Sequence, residues 1–162
     1  MAFYRKKKMG QPSEMTPGEA QNRLEHFCAY RERSPKEVRR KIAELGLDED
    51  AAQVLYDTLE SDGFFQESRF AEAFAGGKFR ANHWGKVRIR MELRHTHGVR
   101  TELIEAVLEQ IPEEEYMAAL RQLLAKKIAQ LPADDPLIHQ KAAASAIRAG
   151  FEPELVFKNL PQ

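Results

Sequence analysis

The sequence predicts an all-α protein built from repeated three-helix units, and three observations carry that prediction. Gly46, Gly98 and Gly150 follow one another at intervals of 52 residues, and an apolar residue, Leu47, Val99 or Phe151, comes after each. Downstream of these glycines the register holds without gaps, so that Ala51, Leu103 and Leu155 coincide, as do Ala52, Ile104 and Val156, and Leu55 matches Val107. Self-similarity at a fixed period of this size marks a tandem array of small supersecondary units. Finally, Thr16-Pro17-Gly18-Glu19 and Ser34-Pro35-Lys36-Glu37 repeat one device: an N-cap hydroxyl, a proline at the first helical position and an acid placed for a capping box. Upstream of the glycines the repeat is looser, since Ile42 lies four residues before its glycine and Leu93 five before its own.

The first helix starts after Thr16, carries Ala20, Leu24, Phe27 and Cys28 as its buried stripe, and is expected to end near Arg33. The second starts after Ser34 and places Val38, Ile42 and Leu45 at helical spacing until Gly46 supplies a positive-φ stop. A third runs from Asp48 through Ala51, Val54, Leu55 and Leu59 to Asp62-Gly63. The second unit comprises helices from Glu67 to about Ala81, from Gly85 to His97 and from Thr101 to Ile111. The third comprises Glu113 to Ala129, Ile138 to Ala149 and Pro153 to Leu160. The run Lys86 to Leu93 alternates as a strand would, but its counterparts, EVRRKIAELG and the alanine-rich KAAASAIRAG, are helical in pattern or propensity, so helix is expected there too. Residues 1–15 are expected to be a flexible basic tail, followed by repeats at 16–65, 66–112 and 113–162.

Composition narrows the function. Apolar residues make up 43% and charged residues 31% of 162, enough to fold and unusually charged for a globular domain. No apolar run is long enough to span a membrane, the basic N-terminus lacks a signal-peptide core, and Cys28 is alone, so a cytoplasmic protein is expected. Net charge is zero but blocked: Lys78 to Arg100 holds seven bases against Glu92, Thr101 to Glu115 six glutamates and no base, and Glu44 to Glu72 nine acids against Arg69. A general nucleic-acid binder needs a net positive footprint that this chain lacks.

No catalytic signature is present, and neither an enzyme nor a cofactor is expected. Ala75-Gly76-Gly77-Lys78 lacks the first glycine and the hydroxyl of a P-loop and reads as a helix break or loosened turn. Cys28 reads as a small core residue. His83, His95 and His97 do not make a metal site, because residues two apart on a helix point about 200° away from each other.

The basic middle helices are the sharper feature. Lys86, Arg90 and Arg94 fall on consecutive turns and form one stripe about 12 Å long, with Arg88 off it. In the first unit Lys36, Arg39 and Arg40 cluster opposite Val38, Ile42 and Leu45. Two readings stand: a solvated face paired with the acidic third helices, or a contact surface for an acidic partner or phosphates. Trp84, just before the basic helix, fits a core plug or an interface anchor. With Arg80, these residues are the candidate binding surface.

Three runs carry a family likeness: Gly63-Phe64-Phe65-Gln66-Glu67-Ser68-Arg69-Phe70-Ala71, Trp84-Gly85-Lys86 through Leu93, and His97-Gly98-Val99. With Arg33-Ser34, Glu37-Val38 and Leu45-Gly46, they resemble the RecX family over residues 25 to 125. The paired aspartates usual after the aromatic are Gln66-Glu67 here, which puts any role of those acids in partner contact in doubt. The resemblance implies three tandem three-helix units in an elongated, curved array. It also implies a monomer that lies in the groove of the RecA filament on single-stranded DNA, hinders filament growth or ATP hydrolysis, and so limits recombination and the DNA-damage (SOS) response. The alternative is a direct DNA binder acting through the basic middle helices, and a weak DNA contact is compatible with either.

Overall fold

The computed structural model describes residues 15–162, and these form nine α-helices and one π-helical turn, with no strand among the described residues. The expected tail lies outside them except for Met15, which packs on the first core. The helices are α1 (Pro17–Tyr30), α2 (Pro35–Ala43), α3 (Glu49–Ser61), α4 (Glu67–Asn82), α5 (Lys86–Met91), which continues into the π-helical turn Glu92–Thr96, α6 (Thr101–Glu109), α7 (Glu113–Ala129), α8 (Ile138–Ala149) and α9 (Pro153–Asn159). The chain divides into two compact units between Gln66 and Glu67.

In the first unit both capping boxes form. The Thr16 and Ser34 hydroxyls each accept the N–H of the glutamate three residues on, at 3.2 Å, and those glutamates accept the Thr16 and Ser34 N–H groups at 3.0 and 2.9 Å. Helix α1 ends at Tyr30, earlier than expected, because Arg33 turns back onto it: its Nε donates to the Phe27 carbonyl at 2.9 Å and its guanidinium lies 3.8 Å from the Phe27 ring centre. Leu24, Val38, Ile42, Tyr56, Leu59 and Phe65 form the core with Cys28, whose thiol burial pushes up in pKa. Val54, one of the apolar residues that mark α3 in the sequence, is 66% exposed, and Tyr56 takes an inward position.

In the second unit the residues of repeats two and three share one core, from Phe70, Ile89, Leu93 and Ile104 to Tyr116, Leu120, Ala142, Phe151 and Val156. The expected boundary between residues 112 and 113 is therefore not a break in packing. Its seam is a contact between backbones. Gly85 and Val87 donate their N–H groups to the Ala149 and Gly150 carbonyls at 2.8 and 2.9 Å, so the leading donors of α5 meet the trailing acceptors of α8. A Cβ on Gly85 would lie 2.2 Å from the Gly150 carbonyl carbon and oxygen, and one on Gly150 would lie 2.3 Å from Arg88 Cβ.

Gly46, Gly98 and Gly150 all have positive φ, at 70°, 72° and 101°, as the repeat requires. The looser upstream register has a physical form. Val38 and Ile42 precede Gly46 by eight and four residues, whereas Ile89 and Leu93, equally buried, precede Gly98 by nine and five. The extra residue is taken up by the π-helical turn, closed by the His97 N–H on the Glu92 carbonyl at 3.2 Å. Gly76-Gly77, expected to break or loosen a helix, lies inside the unbroken α4. Phe70, Ala71, Ala75 and Phe79 bury that helix along its length, and this packing outweighs a glycine cost of about 0.5–1 kcal/mol each.

Candidate functional site

The structure disperses the stripe that the sequence draws on α5. Lys86 is half-buried, with its backbone N–H donating to the Tyr116 hydroxyl at 3.0 Å and its ammonium 4.8 Å from the Tyr116 ring centre. The same hydroxyl donates to Glu152 at 2.5 Å, and burial together with that carboxylate raises the Tyr116 phenol well above its usual pKa. Arg90 grips Glu105 of α6 with two bonds, Nε to Oε1 at 2.6 Å and Nη2 to Oε2 at 3.1 Å. This bond to Arg90 holds the Glu105 carboxyl below its ordinary pKa. Only Arg94 of the three is exposed and has no ion pair with another described residue. The middle helix is thus partly a face paired with the acidic third helix of its own unit.

Arg88, which lies off the stripe, belongs to a different arrangement. Its guanidinium stacks 3.9 Å from the Trp84 ring centre, and the Lys78 ammonium lies 4.8 Å from the same ring. The Trp84 N–H donates to the Lys78 carbonyl at 3.1 Å, which brings the end of α4 and the start of α5 together. Trp84 is half-buried, edge-on to Phe74 on its inner side, so it both packs on the core and presents an aromatic surface. Neither Lys78 nor Arg88 has a carboxylate partner among the described residues. Each such cation–π contact contributes about 0.5–1 kcal/mol at an exposed site. Arg80 is exposed and reaches Glu115 only at 3.9 Å. Lys78 is absent from the sequence-derived set because its place beside Trp84 depends on how the chain turns at His83, and the residue pattern does not specify that turn.

In the first unit Lys36, Arg39 and Arg40 are all exposed. Arg39 is oriented by α3, with its guanidinium 4.0 Å from the Tyr56 ring centre and Nη1 3.3 Å from the Gln53 side chain. Of the histidines, His97 packs on Phe70 and Phe74 at ring-centre distances of 5.0 and 4.7 Å, while exposed His83 follows the end of α4 with φ +56°.

Glu67, in the segment where the sequence departs from the paired aspartates of the family it resembles, is turned inward and 6% exposed. Its carboxylate accepts the Arg100 backbone N–H at 2.5 Å and Arg100 Nε at 3.2 Å, joining the start of α4 to the start of α6. A negative charge at both helix N-termini is favourable to their dipoles.

Residues 67–108 match the family profile described as RecX, second three-helix domain. The chain is 34% identical over 122 residues to the Regulatory protein RecX of Xanthomonas axonopodis pv. citri, covering 75% of this chain and 74% of that one. It is 31% identical over 146 residues to the Regulatory protein RecX of Stenotrophomonas maltophilia, covering 90% and 85%. The crystal structure of RecX from Lactobacillus salivarius superposes with a TM-score of 0.81 at 18% identity, over 88% of this chain and 93% of that one, and so shares its fold. On the strength of these relatives, the chain belongs to the RecX family of regulatory proteins.

Proposed function

We propose that this chain binds the RecA recombinase filament on single-stranded DNA and restrains it, acting as a regulator and not as an enzyme. Family membership supports the regulatory role, and the observation that carries the surface is the Trp84 platform flanked by Lys78 and Arg88. An aromatic ring between two cations without carboxylate partners is a surface suited to an acidic or phosphate-bearing partner. Arg94 on the second unit and Lys36, Arg39 and Arg40 on the first supply further exposed charge.

The test is charge reversal where it does not disturb internal pairs. Arg88→Glu with Arg94→Glu leaves the Arg90–Glu105 bond intact, and each exposed charge contributes at most about 1 kcal/mol to stability. The melting temperature is expected to stay within a few degrees. Affinity for the recombinase filament, read by fluorescence anisotropy, is expected to fall at least about tenfold, since reversal adds repulsion to the lost attraction. Undiminished filament binding by the folded variant contradicts this surface.

A further inference from the structure

Behind the Trp84 platform stands a ladder of rings that the middle helix of repeat two closes with a histidine. Phe70, Phe74 and Lys78 lie one turn apart on α4 and so form a single stripe along that helix. The Phe70 and Phe74 rings stack at 5.9 Å, and the Lys78 ammonium lies 5.5 Å from the Phe74 ring centre and 4.8 Å from that of Trp84. Phe74 is the central rung. The His97 ring meets it at 4.7 Å and 60°, and the Trp84 ring at 6.3 Å and 70°, both in the edge arrangement that aromatic pairs favour. His97 also reaches the Phe70 ring, at 5.0 Å.

Core packing alone does not call for a histidine at this place. In repeats one and three the residue before the helix-ending glycine is Leu45 or Ala149, and each packs with its core through an aliphatic side chain. Repeat two, which carries the platform, has an imidazole there, at the end of the one π-helical turn among the described residues. Such turns are rare and frequently accompany functional sites. On the outer side, the contacts of Lys78 and Arg88 with the indole are individually weak, and both come from long side chains that can move with the ring. The edge of Phe74 is the firmer support.

We propose that His97 is a positioning residue of the platform: acting through Phe74, it holds Trp84 in place, so that the indole and its two cations meet a partner already ordered. A large side chain that is mobile before binding must be immobilised by it, and ordering that side chain in advance removes the cost. The extra residue before Gly98 thus has a purpose, since it belongs to the π-helical turn that delivers the imidazole to the ladder. The consequence for binding rests on the filament reading above, whereas the effect on Trp84 does not.

Trp84 is the chain's one tryptophan, so its intrinsic fluorescence reports on the platform alone. The experiment compares the full chain with His97→Leu, the residue type at the same place in repeat one, and with His97→Phe, which keeps a ring without an imidazole. Both variants are expected to melt within a few degrees of the parent, because the exchanged side chains are of comparable size. In His97→Leu the Trp84 emission is expected to depolarise faster, and affinity for the recombinase filament to fall about fivefold, the cost of ordering one large side chain on binding. His97→Phe is expected to keep the parent's values of both. In a Phe74→Leu background, His97→Leu is expected to change nothing further, since the histidine acts through that ring. Unchanged depolarisation in His97→Leu overturns the proposal, as do equal losses in the Leu and Phe variants or effects of His97→Leu and Phe74→Leu that add in full. Faster depolarisation with undiminished filament affinity overturns it too if Arg88→Glu with Arg94→Glu does weaken the filament complex. If neither the charge reversal nor His97→Leu changes that affinity, the filament reading fails and the positioning of Trp84 by His97 stands.

Discussion

At the scale of single residues, chemistry that looks exposed in the sequence is in part internal. Glu67 is the clearest case: the carboxylate that stands where the family has an aspartate is 6% exposed and bonded to Arg100. Hydrogen bonds to a buried charge contribute about 1.5–3 kcal/mol, the Arg100 side-chain bond less because that arginine is 65% exposed. Glu67→Ala is therefore expected to lose about 2–3 kcal/mol in urea melts, with Arg100→Ala costing less since the backbone N–H remains. Equal stability of Glu67→Ala and the parent protein would mean that the carboxylate is free for a partner. Arg90 is similar, paired with Glu105 so firmly that the carboxyl titrates below its ordinary range. Charge blocks in the sequence correctly suggested pairing with the acidic third helix, but which arginine would pair depends on helix rotation in three dimensions.

Helix by helix, the beginnings and ends were legible where side chains signal them locally. Thr16, Ser34 and Asp48 cap as their types dictate, and the glycines at 46, 98 and 150 stop their helices with positive φ. What resisted were effects of packing: α4 runs through Gly76-Gly77 because its flanks are buried, and Val54 faces out because Tyr56 faces in. The π-helical turn stood in the sequence as a one-residue mismatch before Gly98, readable as an insertion but not as a helix geometry. The α5–α8 seam was invisible, since it joins residues 63 and 64 apart through their backbones. It makes a firm prediction. Gly85→Ala has no space at 2.2 Å from Gly150 and must part the two helices, at a cost of about 3 kcal/mol or more. Because repeats two and three share a core, hydrogen exchange is expected to accelerate in α8 as well as in α5, whereas acceleration confined to α5 would show that the repeats open separately.

For the molecule as a whole, a net charge of zero conceals a division of labour among its bases. Arg90, Arg33 and Arg100 are engaged by the protein's own carboxylates, while Arg88 and Arg94 have no acid opposite them among the described residues. The family was legible from ordered short motifs spread along the chain, and its relatives bear that out. The working partner is not written in the fold, because a helical repeat supplies surface without specifying what covers it. ATP hydrolysis by the cognate recombinase on single-stranded DNA, followed as this protein is added, tests the central claim most directly. The account predicts that hydrolysis falls at fewer than one copy per recombinase monomer, and that the Arg88→Glu, Arg94→Glu variant fails to lower it. Hydrolysis unchanged by an excess of the folded parent protein would contradict the account.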